Sequence, residues 1–166
     1  MKRIILLLGL CLCISSLYAQ KFETEVLDEG NTYEVRIKHF NKLFGEQFTP
    51  EKVASLPPNR AAQREAWREK CADKLLTEDL KAVIKEALKN DLGSFWITFY
   101  TDETGNVITV KFVMSSSIYI MVSTKILREL YTRAMKEKLN PDDYLFDGGR
   151  TYVLDAFELV KRVLKE

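Results

Sequence analysis

The segment FWITFYTDETGNVITVKFVMSSS, Phe95–Ser117, holds the strongest structural signal in the chain. Two runs rich in β-branched and aromatic residues, Ser94–Thr101 and Val107–Ser115, flank a five-residue polar loop that contains Gly105. Since glycine adopts the positive φ that such loops need, the pattern predicts a β-hairpin. Both runs are apolar on both faces, so we expect central strands that helices cover on one side and partly on the other.

Three helices are predicted around this hairpin. Arg60–Leu76 and Glu78–Asn90 precede it, and a third helix begins at Ser123 or Thr124 and runs to Leu139. In the second of them, apolar residues recur at positions i, i+3, i+4, i+7 and i+8, which is the stripe of a helix that buries one face.

Period-two alternation predicts further strands at both ends of the chain. Phe22–Asp28 and Thr32–Phe40 form a hairpin, and Arg150–Phe157 forms a last strand that we extend to about Leu159, although the tail also fits a helix face. Ile118–Val122 fits either a strand extension or the lead into the third helix. The fold class is therefore α+β, with a mixed or antiparallel sheet of about four or five strands packed against two or three helices.

This order of elements resembles the C-terminal domain of TonB over about residues 78–159. The quoted hairpin, with its D-x-x-G-x-V turn at Asp102–Val107, and the later stretch RTYVLDAFEL, Arg150–Leu159, carry the resemblance. It implies a ββαβ core, here with an added N-terminal hairpin and helix, in an envelope protein of a Gram-negative cell. It also implies a fold that binds peptides along a sheet edge.

The same resemblance does not imply the energising of outer-membrane receptors. TonB keeps an uncleaved N-terminal anchor and a proline-rich spacer, whereas this sequence shows a cleavable leader and neither of those features. The overall likeness is to small secreted envelope proteins of unknown function.

The leader has the three parts of a secretory signal peptide. Lys2 and Arg3 precede the apolar run Ile4–Ile14, and Ala19 stands before the expected cleavage point. As a helix the run spans about 16 Å, roughly half of a hydrocarbon core, so it is too short to remain as a membrane span. We expect an exported protein, periplasmic or extracellular, with residues 20–166 as a single α+β domain.

The mature chain is nearly neutral. Loss of Lys2 and Arg3 lowers the Lys+Arg count from 25 to 23 against 24 Asp+Glu, a net charge of −1. A chain with this balance lacks the excess of positive charge that attracts nucleic acid. Lipidation of Cys11 or Cys13 is not expected, because a leucine precedes each of them. Cys71 then stays alone, so the core rather than a disulfide holds the domain.

No catalytic, cofactor-binding or metal-binding residue is predicted. His39 ends a predicted strand without a nucleophile motif elsewhere, and Cys71 lies on an apolar helical stripe, where a thiol acts as a small hydrophobe. Asp142, Asp143 and Asp147 lack the alternating ligand spacing of a calcium hand, so they are expected to form a solvated turn.

Two surfaces are possible partner sites. Trp96 and Tyr100 share one face of a strand, with Tyr119 expected nearby, and form an aromatic platform for a peptide or a glycan if no helix covers them. Core packing is the alternative for these rings. The second surface is the edge of the last strand, which an added strand would extend. Its residues are Tyr152, Leu154 and Ala156.

The functional expectation is an exported, non-catalytic binding protein of the cell envelope, with its ligand and its oligomeric state left open. Two alternatives stay open beside it. One is a small hydrolase that uses two convergent carboxylates. The other is a subunit or inhibitor that is stable only within an assembly.

Overall fold

The computed structural model describes residues 21–89 and 92–165, with the predicted hairpin at the centre of its sheet. The hairpin strands are β3 (Phe95–Asp102) and β4 (Val107–Ser115), which pair antiparallel. Their β-branched and aromatic side chains fit a pleated sheet that is buried on one face and partly covered on the other. The predicted signal peptide, residues 1–19, lies outside the described residues.

The loop between β3 and β4 is held by the Asp102 side chain. Its Oδ1 atom accepts hydrogen bonds from the main-chain N–H groups of Thr104 and Asn106, at 2.9 and 3.0 Å. Gly105 lies between them with φ of 83°. An aspartate that caps its own turn and a glycine at positive φ are the residues that such a loop requires.

The sheet has the strand order β1-β2-β4-β3-β5, and every pairing is antiparallel. β1 (Phe22–Leu27) and β2 (Thr32–Ile37) form the predicted N-terminal hairpin, and β5 (Tyr152–Glu158) pairs with β3. β1 and β5 are therefore the two edges of the sheet. The predicted α+β class is confirmed, with five antiparallel strands.

Six α-helices occur in the described part of the chain, and side-chain caps start two of them. Thr77 accepts a hydrogen bond from Leu80 N, and Ser123 accepts one from Ile126 N, as expected for residues that begin helices. The helices are α1 (Phe40–Phe44), α2 (Ala61–Leu75), α3 (Glu78–Ala87), α4 (Ser116–Tyr119), α5 (Thr124–Ala134) and α6 (Leu159–Val163).

The third predicted helix is shorter than the sequence suggests. It ends at Ala134 rather than at Leu139, because the chain beyond it pairs with the β3–β4 loop. Leu139 N donates to Gly105 O at 2.9 Å, and Asn106 forms a bridge with Lys138. A tertiary main-chain contact therefore replaces the last helical turns.

Other boundaries also differ from the prediction. The stretch Asn41–Asn59 is predicted as irregular, but α1 extends into it from Phe40, a residue predicted as strand, and β2 already ends at Ile37. Of the stretch Ile118–Val122, which was open between strand and helix, Ile118 and Tyr119 belong to α4. The tail is α6 from Leu159 onward, so the last strand ends at Glu158. The second predicted helix ends at Ala87, and its expected last residue, Asn90, lies outside the described residues.

The main hydrophobic core lies on one face of the sheet, under α2 to α6. The alternating side chains Phe95, Ile97 and Phe99 of β3 are fully buried there. Phe112 of β4 and Leu130 of α5 pack into the same cluster. Each such side chain contributes roughly 1.5–3 kcal/mol of burial free energy, so this face supplies most of the stability.

A smaller aromatic cluster covers one end of the second face. The segment that contains α1 places Phe40 and Phe48 over Tyr100, with ring centroids 5.4 and 4.6 Å from it. Tyr152 of β5 completes the cluster. The predicted partial cover of the central strands is thus made by a loop and a short helix.

Candidate functional site

The predicted aromatic platform is not formed. Trp96 and Tyr100 share the second face of β3, as period-two geometry requires, but Tyr100 is 6% exposed beneath Phe40 and Phe48. Trp96 is 38% exposed, with the Lys161 ammonium 5.6 Å from its ring centroid. Tyr100 is therefore a core residue, whereas Trp96 is a partly exposed ring that does not share a surface with it.

Tyr119 lies on the opposite face from Trp96, which corrects the expectation that the two are neighbours. Its ring stacks on Tyr33 with centroids 4.0 Å apart and planes at 6°. Tyr33 is paired with Met114, whose buried side chain belongs to the helix-covered core. Because α4 turns the chain back over this face immediately after β4, Tyr119 is carried to the β1 side of the sheet.

The predicted edge strand is partly covered. Thr151 N donates to Lys52 O, and Ala54 N donates to Tyr152 O, so a neighbouring segment pairs with the beginning of β5. Tyr152 is buried, whereas Leu154 and Ala156 are half-buried. At the start of this edge, some main-chain N–H and C=O groups that the sequence suggests are open to an added strand are therefore already paired.

His39 directly precedes α1, and Cys71 lies in the main core. His39 adopts φ of 66° at the start of α1, and its main-chain N–H donates to Glu23 Oε2 at 2.9 Å. Cys71 is 1% exposed in the main core, and burial raises the pKa of its thiol, which keeps the thiol protonated at neutral pH.

The aspartate-rich turn is not wholly solvated, contrary to the prediction. Asp143 is 5% exposed, whereas Asp147 forms an exposed ion pair with Arg150. Within residues 21–89 and 92–165, no group of three or more His, Cys, Asp or Glu side chains is placed to hold a metal ion. In the same ranges, no helix has the length and apolar character to cross a membrane.

A cleft of about 590 Å³ lies between edge strand β1 and helices α4 and α5, and we name it the β1 cleft. Its apolar surface comes from strands and helix together. Phe22 of β1, buried Val35 of β2 and buried Leu127 of α5 line it, with Val122 between α4 and α5. Tyr119 forms part of the α4 side.

The shape of the β1 cleft follows from the alternation of β1. Phe22, Thr24 and Val26 point toward the helix-covered face, and the Phe22 ring packs edge-on against Tyr131 of α5 at 5.7 Å. The Tyr119 hydroxyl lies 3.4 Å from Thr24 Oγ1. Helix α4 packs on β2 and β4, and α5 packs on β4, whereas both helices pack less closely on β1, so a gap remains along the edge strand.

Three cations surround the β1 cleft. Lys21, Lys38 and Arg128 are exposed residues that line it, and none of their side chains forms an ion pair or hydrogen bond with another described residue. Most other arginines in these ranges have a carboxylate partner, such as Arg36 and Arg68. The cleft therefore carries positive charge that the described protein leaves uncompensated.

The acid that lines the β1 cleft is already neutralised. Glu23 accepts hydrogen bonds from His39 N and from Arg36 Nε, both at 2.9 Å. The N–H of His39 first, and then Arg36, lower the pKa of this carboxyl, so it is ionised and paired at neutral pH. Arg36 also pairs with Glu25 and Glu34 on the second face of the sheet.

Exposed apolar side chains adjoin the residues that line the β1 cleft. Val26 is 57% exposed, and Ile120 and Met121, which follow α4, are 78% and 39% exposed. Scattered apolar residues on a surface are ordinary, but a group beside an apolar cleft is a feature of interaction sites.

The fold is similar to that of a solved protein, a DUF5043 family protein from Bacteroides uniformis. The two structures superpose with a TM-score of 0.53 and 17% sequence identity, over 84% of this chain and 80% of that chain. At this identity the likeness shows the fold alone. No family model matches the sequence, and no curated protein matches it.

The structure contains a buried ionic cluster that the sequence analysis does not predict. Asp155 of β5 has a fully buried side chain, which accepts hydrogen bonds from Arg68 Nε and from the Tyr144 hydroxyl, both at 2.7 Å. Beside it, Arg64 donates to Asp143 O and lies 5.9 Å from the Tyr144 ring centroid. The sequence does contain a sign of this cluster, because Asp155 occupies an inward-facing position of an alternating strand.

Proposed function

We propose that this chain is an exported, non-catalytic binding protein of a Gram-negative cell envelope, and that it holds an anionic partner in the β1 cleft. The observation that carries the proposal is the trio of unpaired cations, Lys21, Lys38 and Arg128, around an apolar cleft beside an edge strand. Complementary charge steers encounter and selects partners.

The leader sequence supports export. Lys2 and Arg3, the short apolar run and Ala19 have the order that signal peptidase substrates require. The resemblance to the TonB C-terminal domain over about residues 78–159 supports a place in the envelope and a binding role. The nearly neutral mature chain gives no general attraction to polyanions, so local charge at the β1 cleft is the relevant feature.

The dimensions of the β1 cleft also suit binding. Ligand sites commonly enclose roughly 300–1,000 Å³ and combine an apolar lining with a few polar groups that fix orientation. The cleft lies in this range, and its lining has that composition. Carboxylates are less suited to catalysis here, because Glu23 is bound to Arg36 and Asp155 is bound to Arg68.

Site-specific photocrosslinking in a Gram-negative host tests the proposal. A photoreactive residue at Thr24 or Thr124, both exposed on the β1 cleft, is expected to give a discrete crosslinked product. The same residue at Ala82 or Lys85 on the exposed face of α3 is expected to give none. Mass spectrometry of the same material is expected to find the chain beginning at Gln20.

Charge-reversal variants provide a matched control for the crosslinking experiment. Lys38→Glu with Arg128→Glu removes two attractions of about 0.5–1 kcal/mol each and adds two repulsions of similar size, so the product is expected to fall at least tenfold. Lys70→Glu with Lys85→Glu makes the same charge change on exposed residues elsewhere and is expected to leave the product unchanged. Equal crosslinking from α3, or a yield indifferent to Lys38 and Arg128, would contradict the proposal.

A further inference from the structure

The outer edge of β1 presents free main-chain groups to solvent. Lys38 N donates to Lys21 O at 2.7 Å, so Lys21 is a residue whose main chain faces β2. In an antiparallel pair such residues alternate, which directs the N–H and C=O groups of Phe22, Thr24 and Val26 away from the sheet. Within the described ranges, no main-chain group of these three residues bonds to another segment.

Two of the three residues with free main-chain groups also line the β1 cleft. Their side chains point toward the helix-covered face, and Phe22 and Thr24 line the β1 cleft. A segment that pairs with β1 would therefore direct every second side chain toward this cleft and its cations. The remaining side chains would lie on the face that holds Glu25.

Charge argues against a second copy of this chain as the added strand. An antiparallel pairing of two β1 strands about Thr24 would place Glu23 of each copy opposite Glu25 of the other, and like charges directly opposite are unfavourable. The same pairing would bring two sets of unpaired cations close to one another. In a different chain, acidic residues at alternate positions would all lie beside the cations of the β1 cleft. None of them would then lie opposite Glu23 or Glu25 on the other face.

We propose that the partner is an extended acidic peptide segment that pairs with β1 as a sixth strand and directs alternate acidic and apolar side chains into the β1 cleft. This inference rests on the proposed function, since it names the class of the anionic partner. The main-chain hydrogen bonds would give affinity, and the cations with the apolar lining would select the sequence.

A synthetic peptide tests the pairing directly. The probe is a fluorescent eight-residue peptide in which Thr alternates with Leu or Glu, titrated into the mature chain at low salt. Saturable binding is expected. N-methylation of one alternate set of peptide nitrogens is expected to weaken it at least tenfold, whereas N-methylation of the other set is expected to change it less than threefold, because only every second N–H faces β1.

A variant of β1 gives the complementary test. Thr24→Pro removes an outward N–H that β2 does not use, and proline is tolerated at such edge positions. We expect at least tenfold weaker peptide binding with an unchanged circular dichroism spectrum. Thr24→Val, which keeps the N–H and removes the same hydroxyl, is expected to weaken binding less than threefold, so that the difference between the two variants measures the contribution of the N–H.

The outcomes separate the two proposals. Binding that is indifferent to both N-methylated sets, or the absence of peptide binding, overturns strand addition. Laurate, an anionic probe without a peptide main chain, reports on the cleft itself. If laurate binds and Lys38→Glu with Arg128→Glu weakens it, the proposed function stands without the sixth strand. If neither probe binds and Thr24 gives no crosslink, the proposed function fails as well.

Discussion

Gly105→Ala is expected to destabilise the fold by about 3–5 kcal/mol, because it combines a strained backbone with a main-chain clash. Gly105 has φ of 83°, and a Cβ atom there would lie 2.0 Å from the carbonyl oxygen of Leu139. That oxygen belongs to a segment fixed by the bond from Leu139 N to Gly105 O. Relief of the clash would break the pairing that ends α5. Urea denaturation followed by circular dichroism measures the loss.

Gly149→Ala is the matched control for this effect. Its φ of 84° imposes nearly the same backbone strain, but a Cβ atom there meets no other atom within 4 Å. We expect a cost of about 1 kcal/mol from the left-handed conformation alone. Equal losses at the two positions would show that the contact of the β3–β4 loop with Leu139 has no energetic role.

Arg68→Ala is expected to cost about 3–5 kcal/mol, because it leaves a buried carboxylate without its cation. The Asp155 side chain is fully buried, and Arg68 Nε lies 2.7 Å from its Oδ1 atom. The Tyr144 hydroxyl satisfies only the other oxygen. The free energy of unfolding, from the same urea experiment, is the quantity to compare.

An exposed arginine provides the control for the buried pair. Arg133 pairs with Glu129 at 2.8 Å on the surface of α5, where both side chains are more than two-fifths exposed. Arg133→Ala also removes a 3.2 Å hydrogen bond to Lys74 O and is expected to cost about 1 kcal/mol, well below the loss at Arg68. Asp155→Asn in the Arg68→Ala background is expected to recover part of the stability, since the buried group is then neutral. Similar losses for Arg68→Ala and Arg133→Ala would refute the role of the cluster.

Local sequence patterns were sufficient to predict the positions of most strands of the sheet. Alternation located the N-terminal hairpin and the last strand, whereas runs of β-branched and aromatic residues around the turn residues Asp102 and Gly105 located the central hairpin. The predicted helix starts at Glu78 and at Ser123 or Thr124 agree with the structure, where Thr77 and Ser123 are the capping residues. These signals act within a few residues of one another, so they are visible without knowledge of tertiary contacts.

Features that depend on distant contacts were not predictable in this way. α1 is held by the packing of Phe40 on Tyr100, and α5 ends early because Leu139 pairs with Gly105. The same limit applies to the candidate site. Lys38 and Arg128 are far apart in the sequence, and only the folding of α5 over the β1–β2 hairpin brings them to one cleft.

The aromatic residues illustrate the difference between sharing a face and being exposed on it. Period two correctly placed Trp96 and Tyr100 on one side of β3, but it carries no information about the segment that covers Tyr100. Tyr119 was misplaced because its position depends on whether the chain after β4 continues as a strand or turns as a helix.

Chemical-shift mapping by NMR of isotope-labelled protein comprising residues 20–166, titrated with the acidic peptide, measures occupancy of the β1 cleft most directly. Binding there is expected to shift the amide signals of Phe22–Val26, Lys38 and Tyr119–Leu127, and to leave those of Trp96 and the β5 edge unchanged. Shifts concentrated at Trp96 or β5, or no shifts at saturating peptide, would contradict the assignment of the binding site.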